Sequence, residues 1–280
     1  MFLQANKSQF SSDCSEHCTC DEESLTCDRN VRCDTNAICE ERNSVRKCYC
    51  IEGYIGDGLS CTRTGPPSDC YDVFTSGRSD GVYTILPIGW TGSPFEVYCN
   101  MSHGGGWTVL QRRVDGSVSF RRSWDDYKEG FGTVGSNQNL WLGNEILYYM
   151  TNQRINTLRI DIVNENLFNW FMNYDLFRVD NESNNYRLEL GSFTGNTGYD
   201  YMVRHRGGQD FSTYDRDNDE HPDVNCALNA GWWYARPFGS CWSANLNGIY
   251  NFNLSLNLHN VDTLTTHSGL RYIQMKIRPM

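Results

Sequence analysis

The sequence predicts an α+β domain that follows a small module built on disulfides. Three observations carry that expectation. Nine of the thirteen cysteines lie within residues 14–61 and only four within 70–280. Beyond residue 70, several segments of strand composition are joined by two helical patterns. From about residue 204 to 270, periodicity gives way to a stretch rich in Asp, Asn, Gly and Trp. A long irregular run inside a compact domain is usually functional or disordered, and the tryptophans here favour order.

At 280 residues the chain is long enough for one large domain with a small companion. Its formal charge of −10 argues against a nucleic-acid backbone as partner, because such domains usually present a basic face. The same charge argues against electrostatic binding to anionic membranes. Hydrophobic residues make up 39% and aromatics 13%, enough for a core and for aromatic binding surfaces. No apolar run approaches the roughly 18 residues a membrane span needs. Cysteine use on this scale points to an oxidising compartment, hence to a secreted, extracellular protein. Four glycosylation sequons agree: Asn6-Lys-Ser, Asn100-Met-Ser, Asn181-Glu-Ser and Asn253-Leu-Ser. The opening MFLQANKSQF lacks the basic and apolar regions of a signal peptide, so the expectation is a removed signal or a fragment of something longer.

Between the two cysteine regimes sits TRTGPPSDC (62–70), whose Gly-Pro-Pro has a linker's composition. The organisation expected is a cysteine-containing segment 1–26, a module 27–61, a linker 62–68 and a domain 69–280. The first part has too few apolar residues for a core, so bridges must do that work. In the domain, GGWTVLQRRV (105–114), TLRIDIV (157–163), YRLELGSF (186–193) and RYIQMKIRP (271–279) read as strands. SWDDYKEGFG (123–132) reads as a short helix stopped by glycine, and WLGNEILYYMTNQ (141–153) as a helix with Glu145 in its first turn.

From Cys27 the spacing is C-x5-C-x5-C-x8-C-x-C-x10-C, ending in CYCIEGYIGDGLSC (48–61). Six cysteines allow 15 pairings on sequence alone. The pattern resembles an EGF-like module, which implies Cys27–Cys39, Cys33–Cys48 and Cys50–Cys61. Calcium-binding modules of that type carry an acidic motif before the first cysteine; SLT stands there, so no calcium is expected in this part. Cys14, Cys18 and Cys20 are left over. Either one of them bridges to another chain, giving a disulfide-linked oligomer, or they belong to a truncated neighbouring module.

Residues 215–226 read DRDNDEHPDVNC. Asp215, Asp217 and Asp219 alternate as at the start of an EF-hand. Glu220 stands where the turn glycine belongs, however, and Cys226 where the bidentate Glu belongs, so this is no EF-hand. Carboxylates a few ångströms apart repel by on the order of 1 kcal/mol per pair in a watery setting. The stretch is either a solvated acidic loop or a calcium site built from hard oxygen donors.

The stretches DCYDVFTSGRSDGVYTI, FEVYCNMSHGGGWTVLQRR, SWDDYKEGFG, NLWLGNE, FSTYDRDND, NCALNAGWWY, CWSANLNG and MKIRP occur in the order seen in fibrinogen-related domains, the globular ends of fibrinogen, ficolins, tachylectins, tenascins and angiopoietins. The resemblance covers about 69–280. It implies a central antiparallel sheet, a loop-rich C-terminal subdomain and the disulfides Cys70–Cys99 and Cys226–Cys241. It also implies calcium held by the side chains of Asp217 and Asp219 and by the carbonyls of His221 and Asp223. Six residues (EHPDVN) separate Asp219 from Cys226 where the family usually has five, which brings in Val224 as an alternative second carbonyl.

In lectin-like members a pocket beside the calcium loop takes acetyl groups, and a cis peptide follows the last cysteine. Cys241-Trp242 matches that peptide, with Trp242 where the family often has His. The short ALNAG, the long ARPFGS and a far wall whose only aromatic is Phe252 also depart from the pattern. A ligand site bounded by Phe238, Trp242, Asn245 and Tyr250, with altered specificity, is the resulting expectation; Trp232 and Trp233 are expected in the core. No G-x-S-x-G or H-E-x-x-H motif suggests an enzyme. The functions in view are a calcium-dependent lectin for glycans or acetylated groups, a tenascin- or angiopoietin-like protein ligand, and a disulfide-linked structural component.

Overall fold

The computed structural model describes residues 7–20, 24–164, 167–235, 241, 244–250, 255–256 and 270–280. They divide into two compact units at Pro66. Among the described residues no helix is long and apolar enough to cross a membrane.

The first unit is three small antiparallel pieces: a sheet of Lys7–Phe10, His17–Cys20 and Leu25–Asp28, the hairpin Ala37–Arg42/Val45–Cys50, and the pair Tyr54–Gly56/Cys61–Arg63. Ile38, Val45 and Ile55 are exposed, so apolar burial contributes little here and the bridges carry the fold. Cys33–Cys48 and Cys50–Cys61 are bonded. The expected Cys27–Cys39 bridge is corrected to Cys18–Cys27 and Cys14–Cys39. The reason is register: His17–Cys20 pairs antiparallel with Leu25–Asp28 and sets Cys18 directly opposite Cys27. Cys14, in a left-handed turn at φ 56°, then reaches Cys39. Cys14 and Cys18 are therefore closed within the chain, which removes both from the expected interchain linkage. Cys20 lies outside the six bridges.

The second unit is built on a nine-stranded antiparallel sheet. Its strands are β1 (Gly81–Ile85), β2 (Phe95–Asn100), β3 (Trp107–Arg113), β4 (Phe131–Gly132), β5 (Leu140–Trp141), β6 (Asn156–Asn164), β7 (Asn169–Tyr174), β8 (Phe193–Gly195) and β9 (Leu270–Pro279). The order is β4-β5-β3-β9-β6-β7-β8, with β1 on β2 and β2 on the free part of β3's edge. The last strand of the chain therefore lies in the middle, with Ile160 of β6 opposite Met275 and Arg159 opposite Lys276.

Period-two alternation decides which way these strands face. Leu158, Ile160 and Ile162 of β6 and Ile273, Met275 and Ile277 of β9 are buried in one hydrophobic cluster. Arg159 and Asp161 of β6, with Gln274 and Lys276 of β9, alternate with them and so occupy the opposite face. The strand expected at 186–193 splits: Leu188–Leu190 pairs with Phe177–Val179, and β8 begins at Phe193. Gly191 marks the break, where a Cβ would strike Asp175 and Leu176.

Among the described residues, three α-helices flank the sheet. α1 (Cys70–Thr75) is capped by Asp69, whose side chain accepts from the N–H groups of Tyr71 and Asp72. α2 (Trp124–Glu129) starts with a capping box between Ser123 and Asp126 and stops at Gly130, φ 94°, where a Cβ would meet the Leu142 carbonyl. α3 (Asn144–Gln153) buries Leu147 and Met150; it starts later than residue 141 because Leu140 and Trp141 join the sheet. Cys70–Cys99 ties α1 to β2.

An aromatic layer joins the sheet to the loop-rich part. Phe211 packs against Tyr127 at 5.1 Å and Trp233 at 5.1 Å between ring centres, and Trp233 lies 6.0 Å from Trp141. His205 is fully buried and its Nε2 accepts from Trp232 Nε1 at 3.3 Å. Burial holds its imidazole down to about pKa 4.

Met275→Ala should cost about 2–5 kcal/mol in urea unfolding, because the methionine is fully buried in the central strand. His205 also sets a pH window. The unfolded imidazole protonates from about 6.5 downward and the folded one not until about 4, so unfolding takes up a proton and stability falls across that range. In His205→Gln, which cannot titrate, the decline between pH 6.5 and 4 should be shallower.

Candidate functional site

The acidic loop hangs between the short strand Phe211–Ser212, which pairs with Trp232–Trp233, and the disulfide Cys226–Cys241. Its three alternating aspartates, Asp215, Asp217 and Asp219, have different tasks. Asp215 turns away from the other two: its Oδ1 accepts from the Trp124 N–H at 3.0 Å and from Thr213 Oγ1 at 2.7 Å. It thus satisfies an open donor at the start of α2 and ties the loop to that helix. Arg216 lies over the Trp124 ring at 3.9 Å and bonds Asn185 Oδ1 at 2.7 Å, fixing the same side.

Asp217 and Asp219 come together. The Asp219 N–H donates to Asp217 Oδ1 at 3.3 Å. Asp219 spans the loop, its Oδ1 accepting from the His221 N–H at 2.8 Å and its Oδ2 from the Cys226 N–H at 2.8 Å. Partial desolvation, then the adjacent Asp219 carboxylate, push the Asp217 carboxyl above the usual aspartate range. The Asp223 N–H donates to His221 Nδ1 at 3.3 Å. The His221 ring is thereby used inside the loop, while its carbonyl and those of Asp223 and Val224 follow the two carboxylates in sequence.

Two asparagines, which sequence reasoning passed over, staple the loop. Asn218 donates to the Phe211 carbonyl at 2.8 Å and its N–H donates to Ser212 Oγ at 3.0 Å. Asn225 donates to the Thr213 carbonyl at 3.3 Å and accepts from the Ala227 N–H at 2.7 Å. Only their proximity to the aspartates could have flagged them.

The expected ligand pocket is reached in part. Phe238 and Trp242 lie outside the described residues, as do Phe252 and the peptide expected to be cis. Asn245 is 3% exposed, its Nδ2 donating to Tyr234 Oη at 3.2 Å. Tyr250 Oη donates toward the carbonyls of Val114 at 2.9 Å and Arg271 at 2.7 Å. Asn245 is thus buried against Tyr234, while the half-buried Tyr250 braces the 244–250 segment and lines a cavity with Arg113, Phe120 and Asn247. Trp232 and Trp233 are fully buried. The same segment is held from below by two more residues the sequence reading did not single out. Gln111 Nε2 donates to the Leu246 carbonyl at 2.8 Å, and Arg113 donates to the Gly248 carbonyl at 2.9 Å.

Of the sequons, Asn6 and Asn253 lie outside the described residues. Asn100 is tied on both ends, donating to Asp80 at 3.1 Å and accepting from Lys276 Nζ at 2.8 Å. Asn181 caps a 3-10 turn through its oxygen, accepting from Asn184 N at 3.2 Å and Ser183 Oγ at 2.7 Å. Elsewhere the sulfurs of Cys14, Cys33 and Cys48 cluster, but all three are in disulfides and offer no thiolate.

Residues 66–280 match the profile of the fibrinogen beta and gamma chains' C-terminal globular domain, and residues 27–61 match an EGF domain. The chain is 39% identical to bovine fibrinogen-like protein 1 over 231 residues, covering 76% of this chain and 72% of that protein. It is 40% identical to bovine angiopoietin-1 over 226 residues, 77% of this chain but 43% of that protein. Among solved structures it resembles the fibrinogen-like globe domain of human ANGPTL2, with a TM-score of 0.66, 34% identity, and coverage of 76% of this chain and 99% of that one. It also resembles the lamprey fibrin D-dimer complexed with the peptide Gly-His-Arg-Pro-amide, with a TM-score of 0.65, 32% identity and 79% and 78% coverage. The chain belongs to the fibrinogen C-terminal domain family, here preceded by an EGF-like module.

Proposed function

We propose that the chain is a secreted, non-enzymatic recognition module whose C-terminal loops, organised by one calcium ion, bind an extracellular protein ligand. The observation that carries this reading is the Asp217–Asp219 pair: two carboxylates brought together, one of them pushed toward its protonated form by partial desolvation and then by the other. A cation relieves that repulsion. The side chains of Asp217 and Asp219 would hold it, with the carbonyls of His221 and of Asp223 or Val224, a set of hard oxygens in a flexible loop that suits calcium. Bound there, the ion supplies the charge that lets both carboxylates stay ionised. The chain's own residues do the rest: Asp219 holds the loop closed onto Cys226, and Asp215 fixes it to α2.

A protein ligand fits better than an acetylated glycan. Trp232, Trp233 and Asn245 are buried, so among the described residues they wall no open acetyl pocket. The exposed Tyr214, Val224, Leu228 and Ile249 offer apolar contact around the same loops. The peptide bound by the lamprey fibrin relative supports a family surface able to take a peptide. Six disulfides support an oxidising, extracellular setting.

Calcium should raise the melting temperature, by the equivalent of about 2.7 kcal/mol at a concentration 100 times its Kd. Asp219→Asn should abolish that rise; a wild-type melting temperature that ignores chelator contradicts the proposal. Asp217→Asn should behave differently with and without the ion. In chelator it removes a repulsion and does not destabilise, whereas in calcium it loses the ion's stabilisation. The sign with pH follows. Desolvation and then Asp219 raise the folded Asp217 carboxyl above its ordinary value, so the stability this one group contributes in chelator is lost as pH rises through the carboxylate range; the loss should show as a difference between the unmutated protein and Asp217→Asn, and calcium should cancel it.

Capture of extracellular proteins on the immobilised chain should need calcium and resist N-acetylglucosamine. Competition by that sugar, with binding on a glycan array, would establish the lectin reading instead. Glycopeptide mapping should find sugar on Asn181 and none on Asn100, whose side chain is committed to Asp80 and Lys276.

A further inference from the structure

The outward face of the central sheet carries a second site, away from the calcium loop. A cavity of about 670 Å³ opens there over β2, β3, β6, β7 and β9. That volume falls in the range of small-molecule sites. Arg112, Arg159 and Lys276 line it against a single carboxylate, Asp161. In a chain of net charge −10 this is a local excess of positive charge.

The cations are held in place. Arg159 donates to Asp161 Oδ1 at 2.7 Å and lies over the Phe171 ring at 4.3 Å. Arg112 donates twice to Gln274 Oε1, at 2.9 and 2.7 Å, and lies over Tyr98 at 4.7 Å. Lys276 is 1% exposed, 2.8 Å from Asp161 Oδ2 and 2.8 Å from Asn100 Oδ1. Asp161 thus serves two cations and neutralises one charge. The rim is of another kind: Trp170 and Tyr272 rings beside the amides of Asn169 and Asn196.

We propose that this cavity binds an acidic saccharide, a sugar unit bearing a carboxylate or sulfate. The cations attract and orient the acidic group, and guanidinium suits its planar or trigonal oxygens. The rings offer flat apolar surface to the C–H face of a sugar, and the amides both donate to and accept from hydroxyls. An acidic peptide fits less well. Peptides that join sheets do so at an unpaired edge, and β9, β6 and β7 here are paired on both sides. His103, at the cavity mouth, reports on the local charge. Burial, then Arg159 and Lys276, hold its imidazole below the usual range, against the opposing pull of Asp161.

The test is calorimetric titration of the intact chain with a heparin-derived tetrasaccharide, its unsulfated and carboxyl-reduced counterpart, and a glutamate-rich hexapeptide, each with and without chelator. The acidic saccharide should bind with an affinity that falls as salt rises, whether or not calcium is present; the neutral saccharide and the peptide should not bind. Arg159→Gln should weaken binding at least tenfold. Should that variant fold poorly, the unmutated protein still decides, because saturating saccharide should move the His103 titration seen by NMR upward. No binding, preference for the peptide, loss of binding with chelator, or a His103 titration unmoved at saturation would each overturn the proposal.

Discussion

The structure of the large unit depends on one topological constraint: its final strand is its central one. β9 pairs with β3 on one side and β6 on the other, so the sheet closes only when the last residues of the chain return. Between β8 and β9 the described residues leave the sheet, and the chain must come back in register. Contacts of that sequence separation are entropically costly to close, and the buried Ile273, Met275 and Ile277 are what reward closure.

That stretch carries the acidic loop, and its described residues are anchored at discrete points. The aromatic layer of Tyr127, Trp141, Phe211 and Trp233 docks its base. Gln111 and Arg113 hold the 244–250 segment by its carbonyls. Asp215 and Asp219 fold the acidic loop on itself and onto α2. What the anchors leave is a pair of adjacent carboxylates, Asp217 and Asp219, that the loop's own bonds bring together. In the proposed reading, the sheet presents a loop that an ion completes. This division also separates the two proposed sites: one depends on the cation, while the other sits on strands that do not.

Much of this was legible in the sequence, for physical reasons. Alternation marked β6 and β9 because one face is apolar and the other charged. Gly130 stopped α2, as a glycine at positive φ can. The pairing of Asp217 with Asp219 followed from their spacing. Other features were hidden because they rest on distant partners. The role of Asp215 needs Trp124, 91 residues away. The bonds that hold Asn245 and Tyr250 likewise rest on distant partners, Tyr234 for the first and Val114 and Arg271 for the second. The bridge from Cys27 was misassigned because spacing says nothing about the register of an upstream strand that places Cys18 opposite it. The sheet-face cavity was invisible for the same reason: Arg112, Arg159 and Lys276 meet only across three paired strands.

The central claim is that a fixed sheet supports a loop that calcium completes. Hydrogen exchange on the intact chain, with calcium and with chelator, tests it most directly. The account predicts that the β9 amides are among the slowest and exchange alike in both conditions, while the amides of His221 and Cys226, which donate to Asp219, slow markedly when calcium is added. Loop amides indifferent to calcium, or β9 amides that open as readily as the loop, would contradict it.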